Sequence, residues 1–129
     1  MGRLNREEFD NYVASCYAYA SDHPWKEYPD FTVYRHASNK KWFALVMSVP
    51  RSAFGLAGDG KIDVVNLKCD PLMVGSAQLS PGVYPAYHMS KTTWVSVALD
   101  GSAEDDTLTF LTDQSYTLTA AKPKKKPKA

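Results

Sequence analysis

Three stretches of this chain alternate with a period of two: "KWFALVMSV" (41–49), "KIDVVNLKC" (61–69) and "TWVSVALDG" (93–101). Side chains on a strand point to opposite faces in turn, so alternation over eight or nine residues predicts strands with two distinct faces. In the first, Phe43, Leu45, Met47 and Val49 oppose Trp42, Ala44, Val46 and Ser48. In the second, Val65, Leu67 and Cys69 oppose Ile62, Val64, Asn66 and Lys68. In the third, Val95, Val97 and Leu99 oppose Trp94, Ser96 and Ala98. Such strands need a sheet, and the sheet needs a cover.

The connections set its direction. "ASNK" (37–40) is a tight polar turn joining "FTVYRH" (31–36) to the first long strand as a hairpin. "PRSAFGLAGDG" (50–60) is a longer loop that turns at Gly58, Asp59 and Gly60, and "PGVYPAYHMSK" (81–91) leads into the last strand. Short links favour antiparallel pairing.

Helical spacing supplies the cover. Asn5 and Glu8 have capping-box spacing, and Phe9, Tyr12, Val13, Cys16 and Ala20 predict a helix from Arg6 to Ser21. "DHPWKEYPD" ends it with two prolines. "CDPLMVGSAQLS" (69–80) predicts a second helix with Asp70 as N-cap and Pro71 in its first turn. Ser102 is expected to cap a third helix, with Glu104, Asp105 and Asp106 in its first turn. Leu108, Leu111 and Leu118 form its stripe, which ends near Ala120. The expected fold is α+β with two layers, α-β(3)-α-β(2)-α around a single antiparallel sheet. Helices cover one face; the other is expected to stay open and to display Trp42, Ala44, Asn66, Lys68, Trp94 and Ser96.

Hydrophobic residues make up 44% and charged residues 22% of 129, the balance of one globular domain. No apolar run reaches the roughly 18 residues of a membrane span, and "MGRLNREEFD" has neither the apolar segment of a signal peptide nor a myristoylation pattern. A cytoplasmic protein is expected, with Cys16 and Cys69 as two buried thiols. Charge is unevenly spread. Residues 1–34 hold three basic and six acidic groups, 35–91 seven and three, and 92–121 none and five. The end "KPKKKPKA" (122–129) holds five lysines, two prolines and nothing to bury, so it reads as a disordered tail on a domain spanning 1–121.

The stretches "KKWFALVMSVPRSAFGLAGDGKIDVVNLKCDP" and "PGVYPAYHMSKTTWVSV", with "SYTL" near the end, resemble the MmcQ/YjbR family of small bacterial proteins over about residues 25 to 118. The resemblance implies the same α-β(3)-α-β(2)-α fold, similar to secretion-chaperone folds. It also implies DNA binding, a role attributed to the family for hairpins that project like a double wing. The lysine tail lies outside the family pattern.

The basic centre and its aromatic neighbours make nucleic acid the first expected partner. Arg35, Lys40, Lys41, Arg51, Lys68, His88 and Lys91 would meet phosphates, and Trp42 and Trp94 would stack on exposed bases. A pI of 7.7 is low for a dedicated DNA-binding domain, so the acidic helices must face away. The plainer reading of Trp42 and Trp94 is cover for the sheet, with Lys68 snorkelling beside them. The alternative function is a protein- or peptide-interaction module, or a homodimer, built on the open face. Catalysis is not expected. His23, His36 and His88 occupy no metal motif, and no nucleophile elbow, phosphate loop or dinucleotide fingerprint occurs. No cofactor, metal or membrane partner is expected.

Overall fold

The computed structural model describes residues 4–120, so the lysine tail lies outside the described residues. The chain order is α1 (Arg6–Cys16), β1 (Tyr19–Asp22), β2 (Thr32–His36), β3 (Trp42–Pro50), a 3-10 turn (Arg51–Phe54), β4 (Lys61–Lys68), α2 (Val74–Ala77), β5 (Val83–Pro85), β6 (Trp94–Ala98) and α3 (Asp105–Thr119). One six-stranded sheet has the order β1-β2-β3-β4-β6-β5, every neighbouring pair antiparallel. The expected α+β class and single antiparallel sheet hold. Four strands, not three, precede the second helix.

The extra strand comes from the end of the first helix. The Asn5–Glu8 capping box forms as the spacing predicts: the Asn5 side chain accepts from the Glu8 amide and Glu8 reaches back to Asn5. The helix stops at Cys16 because Tyr17 turns extended. Its ring stacks on Tyr116 at 4.5 Å and leans on Phe43 at 5.8 Å. Tyr19–Asp22 then pairs with β2 as an edge strand. Cys16 is left exposed, against the expectation of two buried thiols; Cys69 is buried.

The other helices are also shorter than their patterns. Asp70 accepts from the Leu72 amide and closes a turn through its carbonyl to Met73, so residues 70–73 form a turn ahead of a four-residue α2. In α3 the N-cap is Glu104; Ser102 instead bonds to Asp100. Leu118 is 43% exposed, and the buried stripe is Leu108, Leu111, Thr112, Ser115 and Thr119. Gly82, before β5, is obligatory: its φ is 78°, and a Cβ there would lie 2.7 Å from the Ala103 backbone nitrogen.

A β-bulge decides which residues face which way. Tyr34 pairs with Ala44, but Arg35 pairs with Trp42, so Phe43 is an extra residue on β3. The inserted residue resets the alternation. Phe43 joins Ala44 and Val46 against α1 and α3, in a core with Phe9, Val13, Val65 and Leu67. Trp42 moves to the opposite face with Leu45, Met47 and Val49. Ala44 is therefore under the helices, not on the face where simple alternation sets it.

The bulge also interrupts the ladder, and α3 repairs it. The Ser115 hydroxyl donates to the Phe43 carbonyl (2.5 Å) and accepts from the Lys68 amide (2.9 Å), bridging β3 and β4 past their last pair, Ala44–Leu67. This satisfies two backbone groups that would otherwise be buried unpaired. It also explains a helix stripe with hydroxyls where leucines would be expected.

The second face is not open. Val33, Leu45, Met47, Val49, Ile62, Val64 and Ala98 are buried there beneath Trp25, Phe31, Phe54, Tyr84, Tyr87 and Met89. Asn66 and Ser96, expected at an exposed surface, are 0% exposed. The loops 23–31, 51–60 and 86–93 form a third layer. No helix among the described residues is long and apolar enough to cross a membrane.

Candidate nucleic-acid interface

Where the loop layer ends, a row of alternating cations and indoles crosses the sheet. Arg35 on β2 pairs with Trp42 on β3, and Lys68 on β4 pairs with Trp94 on β6. All four lie at the sheet end defined by the Ala44–Leu67 pair, on the face away from the helices. The Arg35 guanidinium carbon lies 5.5 Å from the centre of the Trp42 ring, and the Lys68 ammonium 5.9 Å from that of Trp94. Both are cation–π distances between directly opposed cross-strand residues. All four are half-buried.

Surrounding groups hold this row in shape. Arg35 Nε donates to Asp22 Oδ2 (3.1 Å) across the edge strand, and its guanidinium reaches the Lys40 carbonyl (3.4 Å). Trp42 meets Trp25 edge to face, with ring centres 5.6 Å apart at 86°. In the β2–β3 turn, Asn39 accepts from the Lys41 amide (2.9 Å) and donates to the Thr119 carbonyl (3.0 Å), anchoring the turn to α3. Lys40 takes a left-handed φ of 63°, and Lys40 and Lys41 are both exposed beside the row.

Six of the nine residues expected to contact nucleic acid thus come together: Arg35, Lys40, Lys41, Trp42, Lys68 and Trp94. Three stand apart. Arg51 Nε donates to the Ala57 carbonyl (2.8 Å), closing its own loop. Lys91 Nζ donates to the Ala86 carbonyl (2.9 Å) and clamps the loop before β6. His88 lines a separate cleft with Val49 and Lys61, toward the opposite end of β3. Glycine-rich and tyrosine-rich loops need internal donors, and sequence spacing does not distinguish such a lysine from a free one. Trp25 was missed as part of the site; its signal was an indole between two loop prolines, a bulk that needs a surface to rest on.

Among the groups with shifted protonation, His36 and Cys69 lie behind the row. Burial pushes the His36 imidazole below its ordinary value, partly offset by the Tyr116 backbone. Thr119 Oγ1 donates to the Ser115 carbonyl, so it receives its hydrogen bond from His36 Nε2 (2.7 Å). Burial, with Asp70 beside it, pushes the Cys69 thiol up and makes it a poor nucleophile. Both groups support the core behind the row.

Fold and site together define a class: a three-helix domain on a six-stranded antiparallel sheet, its second face closed by loops and one end carrying a cation–indole row. The chain belongs to the YjbR family, whose model matches residues 14–118. It is 38% identical to the uncharacterized protein YyaQ of Bacillus subtilis (strain 168) over 116 residues, 90% of this chain and 98% of that one. A crystal structure of a Pseudomonas syringae protein is similar at 42% identity and TM-score 0.87, covering 91% of this chain and all of the other. The Deinococcus radiodurans protein DR2400 shares the fold at 21% identity and TM-score 0.65, covering 89% of this chain and 78% of its own. The family resemblance read from the motifs is therefore correct.

Proposed function

We propose that this chain is a non-catalytic, cytoplasmic nucleic-acid-binding protein that takes single-stranded DNA across the end of its sheet. The observation that carries the reading is the row Arg35–Trp42–Lys68–Trp94, with Lys40 and Lys41 beside it. Alternating cations and indoles suit a strand whose bases stack while its phosphates pass over positive charge. The acidic first turns of α1 and α3 belong to the opposite layer, away from an approaching backbone.

Fluorescence anisotropy with a labelled single-stranded 12-mer, measured across a salt series, tests it. Lys40→Ala with Lys41→Ala removes two exposed cations and should lower the log–log salt slope by about 1.4, at about 0.7 per phosphate on single strands. Trp94→Ala should weaken binding by roughly 1–3 kcal/mol, the value of one base–aromatic stack. Unchanged affinity and slope in both variants would assign any binding to the five tail lysines and remove the row from the account.

A second reading, peptide binding, is favoured by one observation on the helix side. Phe110, 55% exposed, lines a groove of about 350 Å³ between α2 and α3, and Leu72 and Leu79, on either side of α2 in the chain, are 93% and 85% exposed. Met73, Ala77 and Leu111 line it, with Asp106 at its edge, and residues 92–121 hold no basic group. The fitting occupant is a segment with apolar anchors and basic flanks. An amphipathic Leu/Lys peptide should bind there and lose affinity on Phe110→Ser, whereas a Leu/Glu peptide should not bind.

A further inference from the structure

The geometry points to a small-molecule site in the cleft between residues 27–31 and His88, shaped for a planar ring carrying one anionic group. Its construction begins with the buried pair Asn66 and Ser96, both 0% exposed. Ser96 Oγ donates to Asn66 Oδ1 (2.5 Å) and accepts from the Tyr87 amide (3.0 Å), while Asn66 Nδ2 donates to the Tyr87 carbonyl (2.7 Å). Both backbone polar groups of Tyr87 are held by side chains buried in the sheet. Lys91 holds the preceding residue through the Ala86 carbonyl.

The next residue shows the consequence. His88 has φ 61°, the left-handed region that penalises any residue with a Cβ. Its imidazole lies 3.9 Å from the Tyr87 ring centre. Strain of this kind persists only where the surroundings over-determine the backbone, and it concentrates at ligand sites. Here two fully buried polar side chains serve to set one loop residue, whose ring lines a cleft.

The cleft measures about 680 Å³, within the range of small-molecule sites. Tyr28 stacks on Phe31 with ring centres 4.9 Å apart at 22°, and Tyr28 is 53% exposed, so one aromatic wall is half bare. Val49 and Tyr87 extend the apolar lining; Glu27, Asp30, Ser48, Lys61 and His88 supply the polar groups, with Lys61 the one lysine among them. A flat ring fits against Tyr28, its polar edge meets Glu27 or the imidazole, and its anion meets the Lys61 ammonium. A nucleoside monophosphate has this chemistry. The cleft lies toward the far end of β3 from the nucleic-acid row: six regular strand steps and the Phe43 bulge separate Val49 from Trp42, roughly 20 Å at strand rise.

The test is an NMR titration of the full chain with 5′-AMP, adenosine and inorganic phosphate. AMP should shift the amides of Tyr28, Val49, Lys61 and His88 saturably, with Kd below about 1 mM. Adenosine alone and phosphate alone should bind those resonances at least about tenfold more weakly, because each lacks one of the two recognised features. Tyr28→Ala and Lys61→Ala, both at exposed positions, should each weaken AMP at least about fivefold. His88→Gly separates a ligand role from a structural one. Glycine accepts the left-handed φ, so stability should hold or rise while AMP affinity falls. No saturable shift at these residues, a response to phosphate equal to that to AMP, or wild-type affinity in all three variants would each overturn the proposal.

Discussion

The two faces of the sheet are closed by different means. On one, α1 and α3 bring Phe9, Val13, Leu108 and Leu111 onto strand valines and leucines. On the other, three loops lay aromatic rings over Met47, Val49 and Val64, and the last of them, 86–93, is fastened by the Asn66–Ser96–Tyr87 bonds and by Lys91. Helices satisfy most of their own backbone groups, so on that side polar side chains serve the helix ends, as Asn5 and Asn39 do, and the bulge, where Ser115 bridges two strands. Loops 23–31 and 51–60 close some of their backbone groups within themselves, whereas loop 86–93 borrows the buried Asn66 and Ser96 side chains. Both candidate sites, the row and the His88 cleft, lie on the loop side. A layer held by single side chains can take shapes that regular elements cannot.

The largest effect that would sharpen the contrast is a core truncation on each side. Phe43→Ala should cost about 3–5 kcal/mol, because the bulge fixes that ring among Tyr17, Tyr34 and Tyr116 with little freedom to collapse. Met47→Ala should fall near the lower end of about 2–5 kcal/mol, since loops relax into the space more readily than helices. Urea denaturation measures both, and equal losses would remove the distinction.

Next come the polar fastenings. Asn66→Ala leaves the Tyr87 carbonyl without its buried donor and should cost about 1–3 kcal/mol, with faster amide exchange concentrated in residues 86–93. Ser115→Ala orphans the Phe43 carbonyl and Lys68 amide at a similar cost, but its exchange should quicken at the β3–β4 end under α3. Exchange that spreads evenly through the sheet in both variants would mean the two layers open together.

The smallest effect is a pH dependence on the helix side. His36 is buried with its protonation depressed, so the unfolded chain takes up a proton as pH falls below about 6.5 while the folded chain resists it. The contribution of His36 is present above that value. It is lost as pH falls through the depressed folded pKa, and is constant below it. The urea midpoint should therefore drop between pH 7.5 and pH 5, and His36→Asn should flatten that drop. A drop of the same size in the variant would assign it to other groups.

The α+β class, the antiparallel sheet, the first capping box and the β2–β3 turn were legible in the sequence. Each rests on local spacing: an alternation, an Asn and Glu three apart, a short polar link. That six of the nine residues expected to meet nucleic acid lie near one another was legible as well, because turns and strand pairs bring near neighbours together. The family was legible from "KKWFALVMSV", "NLKC" and "YHMSKTTW" taken in order.

What tertiary structure alone decided is where each pattern stops and which way it faces. Residues 17–21 carry helical spacing, but the chain turns extended at Tyr17 and Tyr19–Asp22 forms an edge strand, because β2 offers unpaired backbone groups there and Tyr17 finds Tyr116 and Phe43. One inserted residue at Phe43 reverses the facing of Trp42 relative to the rest of β3, and period two carries no trace of it. Asn66 and Ser96 alternate like surface residues yet are wholly buried, since their partners are backbone groups of Tyr87, 21 and 9 residues away. Local spacing determines which elements can form. Long-range hydrogen bonds and ring contacts decide how far each extends and which face it buries, because those partners meet only once the chain has folded.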